Sequence, residues 1–519
     1  MGVSILLIEP PFERLKGITA THFQLGLGYL AAVLMKEGHK VWIYNADLAP
    51  DTGDSSASIT KLLEIHERYP VALKNDAHPV WKEVLAILNK YKPDVVGLTA
   101  KTPIYPSAQK IAQIIKEKYN KNCPVILGGP HATIASKNVL EDKNIDFIII
   151  GEGELTIKEL IKAIENKARD FSSIKGIGYK KDGKIILTQP RELIQNLDEL
   201  PFPARDAIVE ENKYPLYEMG RIETARGCPF MCEYCASNLI WTRKLRTKSP
   251  SYVIKEIKHL MQRYKLKTFY FIDDTFTANK KRVIELCNAI IKDKLNIEWG
   301  CETRVDLVDD EVISWMKKAG CNKIDVGIET GSPRMLKIVK KGTTIGQAIA
   351  ASKLFNKHGI GWNAFLMMGF PEETKEDMQQ TIDLIKKIKP DTIIFSIFTP
   401  YPGTALHKRA MELGLLPENP RWELYSHQSP NNAFVKNISR EEFKKMAVKM
   451  IRTVDAYNNS LRAVIKRIKP KRNYFLKHPF EFAKKGMFFL KMKLKPAKLE
   501  KSMNIKDKDT ATLTKYYSK

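Results

Sequence analysis

Short apolar runs alternate with segments of helical spacing through the first 165 residues. The apolar runs predict buried strands at residues 4–8, 40–44, 95–99, 125–127 and 147–150. Apolar positions three and four apart predict helices at residues 25–35, 107–118 and 155–164. Buried strands separated by helices are typical of a doubly wound parallel sheet, so residues 1–165 are expected to form a Rossmann-like α/β domain.

Glycines stand at or just past the ends of several of these strands. They are Gly97, Gly128, Gly129, Gly151 and Gly153. Ligands of open parallel sheets bind beyond the carboxyl ends of the strands, and glycine lets the backbone approach a ligand closely. We therefore expect a ligand site at this edge of the sheet.

Residues 166–214 have a different pattern. Residues 177–180 and 184–188 flank Lys181-Asp182-Gly183, which predicts a β-hairpin. Pro201, Pro203 and the polar residues after them predict a linker.

Strand and helix patterns alternate again from Arg221 onwards. Strands are predicted at residues 222–225, 268–273, 297–303, 323–329, 360–368 and 392–398. Helices are predicted between them at residues 252–264, 281–292, 311–319, 345–358 and 375–389. This repetition predicts a partial (β/α)6 barrel over residues 215–405, in which the carboxyl ends of the strands carry the chemistry.

The remaining residues, 406–519, are expected to form a helical, basic region. Apolar residues from Phe443 to Ile468 recur mostly three and four apart, and this stripe is expected to pack against the barrel. The net charge is +26, and residues 461–519 contain eighteen Lys/Arg against four Asp/Glu. Bulky apolar residues among the lysines at 475–495 favour a helix on an anionic membrane surface, and a solvated tail is the alternative.

Length and composition limit the class of protein. A chain of 519 residues is too long for one core, and it contains no apolar run of membrane-spanning length. Its N-terminus lacks the basic start and long apolar stretch of a signal peptide. We expect a cytoplasmic protein with peripheral membrane contact through its tail. In a reducing compartment, its seven cysteines indicate metal or redox chemistry and not a disulfide framework.

Three cysteines, Cys228, Cys232 and Cys235, lie within eight residues in the pattern CxxxCxxC. Thiolates on one tight loop can ligate three irons of a cubane cluster. No fourth cysteine is near, so the fourth iron keeps an open position. A zinc site would need a fourth Cys or His nearby, and no His lies within twenty residues. The other cysteines are expected to be small buried hydrophobes; they are Cys123, Cys287, Cys301 and Cys321.

With the aromatic Tyr234 before its last cysteine, this motif resembles that of radical S-adenosylmethionine (SAM) enzymes, and the resemblance covers residues 221–403. In that family the open iron binds the amino and carboxylate groups of SAM. One electron from the cluster then cleaves the sulfonium and releases a 5′-deoxyadenosyl radical. The resemblance therefore implies a [4Fe–4S] cluster on the three cysteines, bound SAM, and an electron donor such as a flavodoxin or ferredoxin.

Other stretches resemble the family at the ends of later strands. Residues 327–332 resemble the fourth-strand motif, whose acid, here Glu329, binds the ribose of SAM. Residues 368–371 resemble the GxP turn after the fifth strand. Asp273-Asp274 replaces the Gly-Gly-Glu that binds the SAM amine in many relatives. Arg304 could meet a carboxylate or form a structural ion pair. The SAM-binding residues implied are Tyr234, Asp273, Arg304 and Glu329, and no catalytic side chain is predicted.

The N-terminal half resembles the cobalamin-binding domain fused to a large subfamily of these enzymes, in the same domain order. The DxHxxG motif of many cobalamin domains is absent, as is usual in the subfamily, so His131 is expected to be a loop residue and no histidine is expected on the cobalt. The resemblance implies cobalamin, with Thr99, Gly128 and Gly129 lining its site; a degenerate domain without corrin is the alternative. The matching stretches are residues 25–31, 94–99, 127–131 and 151–154.

The leading hypothesis is a radical enzyme that uses cobalamin to methylate an unactivated carbon of a small, lipid-like molecule. The second is an oxidative cyclase or C–C bond-forming enzyme that acts on a lipid or tetrapyrrole. An RNA methylthiotransferase would carry three further N-terminal cysteines, whereas only Cys123 precedes the motif here. No nucleic-acid partner is expected, because no recognisable RNA- or DNA-binding module accompanies the basic charge. A non-enzymatic cobalamin or redox sensor would need neither the open cluster site nor the barrel.

Overall fold

A computed structural model describes residues 2–18, 20–49, 68–417, 420–425, 427, 429 and 431–468, without the side chains of 464 and 466–468. Two α/β units follow each other along the chain. The strands are β1 Ser4–Glu9, β2 Lys40–Asn45, β3 Val95–Thr99, β4 Val125–Gly128, β5 Phe147–Ile149, β6 Ile177–Lys181, β7 Lys184–Leu187, β8 Arg221–Ile222, β9 Ala225–Arg226, β10 Arg246–Thr247, β11 Thr268–Phe271, β12 Glu298–Arg304, β13 Cys321–Glu329, β14 Gly361–Met368 and β15 Thr392–Ile397. The α-helices are Glu13–Lys16, Leu25–Lys36, Arg68–Lys74, Pro79–Tyr91, Tyr105–Ile114, Pro130–Ile134, Ser136–Glu141, Glu154–Glu165, Leu216–Met219, Ser237–Trp241, Pro250–Tyr264, Lys280–Lys292, Asp310–Lys318, Pro333–Ile338, Ile345–Lys357, Lys375–Ile388, Ala405–Glu412, Arg440–Asn458 and Leu461–Ile468.

The first sheet has the strand order β2-β1-β3-β4-β5-β6-β7, and β1 to β5 run parallel. The predicted doubly wound sheet is therefore confirmed. The strand order reverses between β1 and β3, where open sheets of this kind form a ligand crevice. The hairpin β6–β7 runs antiparallel along β5, so residues predicted to lie between the domains extend the first sheet. Its turn has positive φ at Asp182 and Gly183, as a two-residue hairpin turn requires.

The second sheet has the strand order β8-β11-β12-β13-β14-β15, with every neighbouring pair parallel. This confirms the predicted partial barrel. Ser249, Asn279, Asp309 and Thr374 cap the helices that follow them, because each side chain accepts an N–H of the first turn. Because all six strands run parallel, their carboxyl ends lie on one side of the barrel.

The apolar stripe at residues 443–468 divides into two parts. In helix Arg440–Asn458, Phe443, Met450 and Val454 are buried, and the helix packs on β15, as expected. In helix Leu461–Ile468, however, Leu461 and Ile465 are 62% and 55% exposed. Residues 475–495, on which the membrane prediction depends, lie outside the described residues.

The two units share one continuous apolar core. Linker residues Leu197, Leu200 and Ile208 belong to the buried cluster that contains core residues of both units. Ile208 also forms a parallel bridge with Ile43 of β2. Among the described residues, no helix combines the length and the apolarity needed to cross a bilayer.

Candidate functional site between the two units

A cavity of about 470 Å³ lies between the carboxyl edge of the first sheet and the barrel. It opens at the crossover between β1 and β3, where ligands bind in open α/β sheets. Thr99, Gly128 and Gly129, predicted to line a corrin site, all form part of its wall. The barrel side of the wall contains Arg221, Glu223, Arg226, Ile240, Trp241, Ile272 and Glu302.

Glycines leave parts of this wall without side chains. At Gly129, φ is +91° and a Cβ would stand 2.7 Å from Thr99 Oγ1, so a larger residue would clash. At Gly26 and Gly151 a Cβ would meet no atom within 4 Å, and at Gly128 it would meet only Ile149, at 4.0 Å. Bare backbone at these points lets a large planar macrocycle such as a corrin approach the strand ends closely. The residues present therefore fit the predicted cofactor.

A carboxylate–imidazole pair also lines the cavity, and the sequence analysis missed it. Glu9 ends β1, and its Oε1 lies 2.9 Å from His22 Nε2 and accepts a hydrogen bond from Gln24 Nε2. Burial lowers the pKa of His22, but the hydrogen bond and charge of Glu9 outweigh it, so the net pKa is raised. Glu9 could have been predicted from the sequence, because it is an acid at the end of a predicted strand. His22 could not, because it belongs to no recognisable motif.

His131 lies away from the cavity wall. It belongs to the short helix Pro130–Ile134, its Nδ1 is 3.2 Å from Thr102 Oγ1, and its ring lies 4.4 Å from that of Tyr105. Burial lowers the pKa of His131 to about 3, so the ring is neutral at physiological pH. Its contacts are those of a packed core residue.

The three clustered cysteines lie on the connection between β9 and β10. Cys228 Sγ is 3.4 Å from Thr275 Oγ1, and Cys235 Sγ accepts the N–H of Ser237 at 3.5 Å. All three are partly exposed, whereas the other four cysteines are buried, as expected. The thiols needed for a cluster are therefore the accessible ones.

The surroundings of Cys235 favour its protonated thiol, so a cluster that binds there has to displace this proton. Burial raises the pKa of Cys235 to about 12, with smaller contributions from Asp274, Cys232 and Cys228, while the N–H of Ser237 lowers it. No three His, Cys, Asp or Glu side chains among the described residues converge to hold one metal ion. Ligands of a cubane bind different irons, so convergence on one point is not needed.

Glu329 lies at the carboxyl end of β13, where the register with β14 shifts. Its Oε1 forms a buried ion pair with Lys341 Nζ at 2.7 Å, and this Nζ is also 3.4 Å from Tyr234 Oη. The structure therefore brings Glu329 and Tyr234, two predicted SAM ligands, to the same place. Sequence reasoning missed Lys341, because its partner is fixed only by the fold.

Arg304 is already engaged on every side. Its guanidinium forms two bonds of 2.9 Å to Asp306 and one of 2.7 Å to the Lys341 carbonyl. It also lies 3.6 Å over the Phe230 ring, with Nη1 3.7 Å from Cys232 Sγ. These contacts favour the structural ion pair of the two alternatives, although Arg304 does touch the cysteine loop.

Asp273 is turned into the barrel wall and is 2% exposed. Its Oδ1 accepts the N–H groups of Thr224 and Ala225 at 2.6 and 2.9 Å, and Arg282 lies 3.7 Å from Oδ2. These bonds connect the end of β11 to the segment that leads into the cysteine loop. Its contact with SAM stays a prediction.

The neighbouring Asp274 points the other way. It is exposed, accepts a hydrogen bond from Ser237 Oγ, and is close enough to Cys235 to raise the pKa of that thiol. Asp274 is therefore a second candidate for the amine contact, in the same dipeptide that the motif comparison marked.

Comparison with known proteins gives matches over both units. The model of the radical SAM superfamily matches residues 222–385, and that of the B12 binding domain matches residues 17–161. An uncharacterised methyltransferase of Pyrococcus horikoshii is 36% identical over 450 residues, which cover 86% of this chain and 90% of the relative. The anaerobic magnesium-protoporphyrin IX monomethyl ester cyclase of Rubrivivax gelatinosus is 33% identical over 349 residues, which cover 65% of this chain and 62% of the relative.

The fold also matches solved structures. The radical S-adenosylmethionine methyltransferase TsrM from Kitasatospora setae, with cobalamin and a [4Fe-4S] cluster bound, aligns with a TM-score of 0.62 and 17% identity. The alignment covers 82% of each chain. The two proteins therefore share the order and arrangement of both units.

Proposed function

The chain belongs to the cobalamin-dependent radical SAM methyltransferase family, and from that premise we propose that it methylates an unactivated carbon of a small, lipid-like molecule. The cofactors of such an enzyme are a [4Fe–4S] cluster, SAM and cobalamin. When bound, the cluster and SAM supply a carbon-centred radical, and the cobalamin supplies a methyl group. One observation carries the proposal. A single cavity joins the strand ends of the B12-binding domain to the inner wall of the barrel.

Each cofactor has candidate residues in this proposal. Cys228, Cys232 and Cys235 hold the cluster. Thr99, Gly128 and Gly129 line the corrin site, where the bare backbone admits a planar ring. The residues proposed to position SAM beside the cluster loop are Tyr234, Asp273, Asp274 and Glu329. Arg304, predicted as a further SAM ligand, is proposed instead to support that loop through its ion pair with Asp306 and its contact with Cys232.

A substrate would occupy the part of the cavity that faces the barrel. Ile240, Trp241 and Ile272 give this wall an apolar surface, while Arg221, Glu223, Arg226 and Glu302 add two ionisable groups of each kind. Burial raises the pKa of Glu302 to about 7, so its carboxyl is partly neutral at physiological pH. An apolar carbon skeleton with a few polar groups suits this wall, which supports the lipid-like class.

Anaerobic reconstitution tests the cofactor assignment. The wild-type chain should take up one [4Fe–4S] cluster and one corrin, and should release 5′-deoxyadenosine from SAM when reduced. Replacing Cys228, Cys232 and Cys235 together by Ala should abolish both the cluster and SAM cleavage. Replacing the buried Cys123 and Cys287 by Ala is the matched control and should leave both intact. An intact four-iron cluster in the triple variant would contradict the assignment.

A second candidate function is oxidative cyclisation or C–C bond formation. The similarity to the Rubrivivax gelatinosus cyclase favours it, because a cyclase can use the same radical start. Mass spectrometry of lipids and metabolites from cells with and without the gene separates the two functions. Methylation adds one CH₂ to the product, whereas oxidative cyclisation removes hydrogen.

Two partners complete the proposal. Reduction of the cluster requires a one-electron donor such as a flavodoxin or ferredoxin. Contact with an anionic membrane would present the cavity to a lipid-like substrate. Leu461 and Ile465 are exposed at the start of the basic segment 461–519, and they support such a contact.

A further inference from the structure

The cysteine loop is anchored by the small strand pair β9–β10, from which it emerges. Arg226 and Arg246 are directly paired across these strands. Gly227 follows Arg226 with φ +92°, and a Cβ there would stand 2.4 Å from the Lys244 carbonyl oxygen. The backbone just before Cys228 is thus held tightly against the segment that leads into β10. Any group that fixes β9–β10 in space also fixes the start of the cysteine loop.

Arg226 crosses from this strand pair to the first domain. Its Nη1 donates to Glu152 Oε1 at 2.9 Å, its Nη2 to Glu154 Oε1 at 2.6 Å, and its Nε to Glu223 Oε1 at 2.8 Å. Glu152 and Glu154 follow β5, in the loop that lines the cavity beside Gly151. One guanidinium therefore joins the loop at the corrin site to the loop that carries the cysteines.

Two further basic residues, one in β10 and one just after it, strengthen this junction. Arg246 Nη1 donates to both oxygens of Glu152 at 2.8 Å and to the Ile194 carbonyl at 2.7 Å. Lys248 donates to the Tyr29 hydroxyl in the first domain. The strand pair is thus attached to the first domain at several points.

Burial of so many charges is better explained by geometry than by stability. Arg226 is 3% exposed, and Glu152 and Glu154 are 5% exposed. Apolar residues of similar volume usually stabilise a buried site at least as well as an ion pair does, because ions lose their hydration. A guanidinium, however, holds several carboxylates at fixed directions. Burial raises the pKa of Glu154, but the charge and hydrogen bond of Arg226 outweigh burial. The net pKa of Glu154 is lowered, which favours the ionised carboxylate.

We infer that Arg226 is a positioning residue that sets the separation between the corrin and the [4Fe–4S] cluster. This inference rests on the proposed function, because it requires both cofactors. The methyl donor and the radical source would both have to reach the same substrate carbon. A misplacement of about 1 Å can cost on the order of 100-fold in rate, so the junction of the two loops controls transfer.

The test measures the separation directly and needs no substrate. Chain reconstituted with iron, sulfide and hydroxocobalamin is reduced until cob(II)alamin and the reduced cluster are both paramagnetic. Dipolar electron paramagnetic resonance (EPR) then gives the distribution of distances between the two spins. Arg226→Lys keeps the positive charge but loses the planar guanidinium, whose donors bind several carboxylates in fixed directions. This variant should broaden or displace the distribution of distances. Arg191→Lys is the matched control, since Arg191 binds Thr156 and Glu159 within the first domain only and should leave the distribution unchanged.

Glu154→Gln is the second variant and removes one arm of the junction while Arg226 remains. A distribution displaced or broadened in Arg226→Lys and Glu154→Gln, but not in Arg191→Lys, supports the inference. Wild-type distributions in both variants overturn it. Failure of both variants to retain the two cofactors also overturns it, since the network then serves folding. A wild-type chain that lacks either signal contradicts the proposed function itself.

Discussion

Glu329 ends β13 in a left-handed backbone conformation, with φ of 69°. A residue with a side chain adopts this conformation at a cost, and such strain concentrates at functional sites. Gly327 leaves room for the ion pair of Glu329 with Lys341, because a Cβ there would stand 2.5 Å from Glu329 Oε1 and 2.9 Å from Lys341 Nζ. Strain, burial and an ion pair thus coincide on the residue predicted to bind the ribose of SAM.

We expect Glu329→Gln to weaken SAM binding by about 1.5–3 kcal/mol, the usual worth of a hydrogen bond to a charged group. The loss corresponds to a roughly 10- to 150-fold higher Kd, measured by calorimetric titration of reconstituted protein. Glu298→Gln is the control, because Glu298 is exposed at the opposite end of the neighbouring strand β12. Unchanged affinity in Glu329→Gln would count against the assignment.

His22 also leads to a testable prediction, which concerns the ligands of cobalt. It lines the cavity, but its Nε2 lies 2.9 Å from Glu9 Oε1, so this nitrogen is already engaged, and Glu9 also raises the pKa of the ring. We therefore expect EPR of cob(II)alamin in this protein to show no hyperfine coupling to a histidine nitrogen. The spectrum of His22→Gln should match that of the wild type. A nitrogen coupling that disappears in this variant would refute the prediction.

Sequence pattern alone could identify single residues only where neighbours along the chain define them. The three cysteines share one loop, so spacing marked them, and Glu329 stands in a recognisable strand-end motif. Lys341 and Arg226 have no such mark, because their partners come from other parts of the chain. Glu152 and Glu154 lie in a stretch that resembled the cobalamin domain, yet their ionic partner Arg226 is seventy or more residues away. Such pairs are formed by the tertiary structure.

The elements themselves were well predicted, since strand and helix periods are local properties. The predicted strands 4–8 and 360–368 correspond to β1 and β14 within one residue at each end. Helix Pro79–Tyr91 was missed, although Val80, Val84 and Leu88 repeat with helical spacing on its buried side. The hairpin β6–β7 was recognised, but its attachment to β5 depends on pairing between distant segments, which no local pattern encodes.

Helix Arg440–Asn458 closes one side of the barrel, and this packing yields a prediction about stability. The Phe443 ring is fully buried and lies so close to Gly369 that a Cβ there would be 3.0 Å from it. Phe443→Ala should therefore destabilise the protein by about 3–5 kcal/mol, through lost contacts and a cavity. Leu461→Ala, on the next helix, removes an exposed side chain and should change stability by about 0.5 kcal/mol or less. Midpoints of urea unfolding followed by fluorescence measure both, and equal midpoints would show that the packing of Phe443 does not contribute to stability.

Charge is distributed unevenly over the whole molecule, and this asymmetry supports a membrane-facing end. Of the net charge of +26, residues 461–519 contribute eighteen Lys/Arg against four Asp/Glu. Basic residues near an anionic bilayer are each worth about 1 kcal/mol at low salt, and this attraction weakens as ions screen it. Leu461 and Ile465 add exposed apolar surface where this segment begins.

The full chain should therefore co-sediment with anionic liposomes at low salt, less at high salt, and little with neutral liposomes. A chain that ends at residue 470 should lose most of this binding, because it lacks the phenylalanines and lysines that follow. In the full chain, Leu461→Ser together with Ile465→Ser should reduce the binding that remains at high salt, where apolar insertion outlasts charge attraction. The matched control is Ile185→Ser with Leu187→Ser on the hairpin β6–β7, because it also replaces two exposed apolar side chains, which are 37% and 39% exposed. This control should leave the binding unchanged. Equal binding by the full and truncated chains, or none by either, would leave the tail without a role at the membrane.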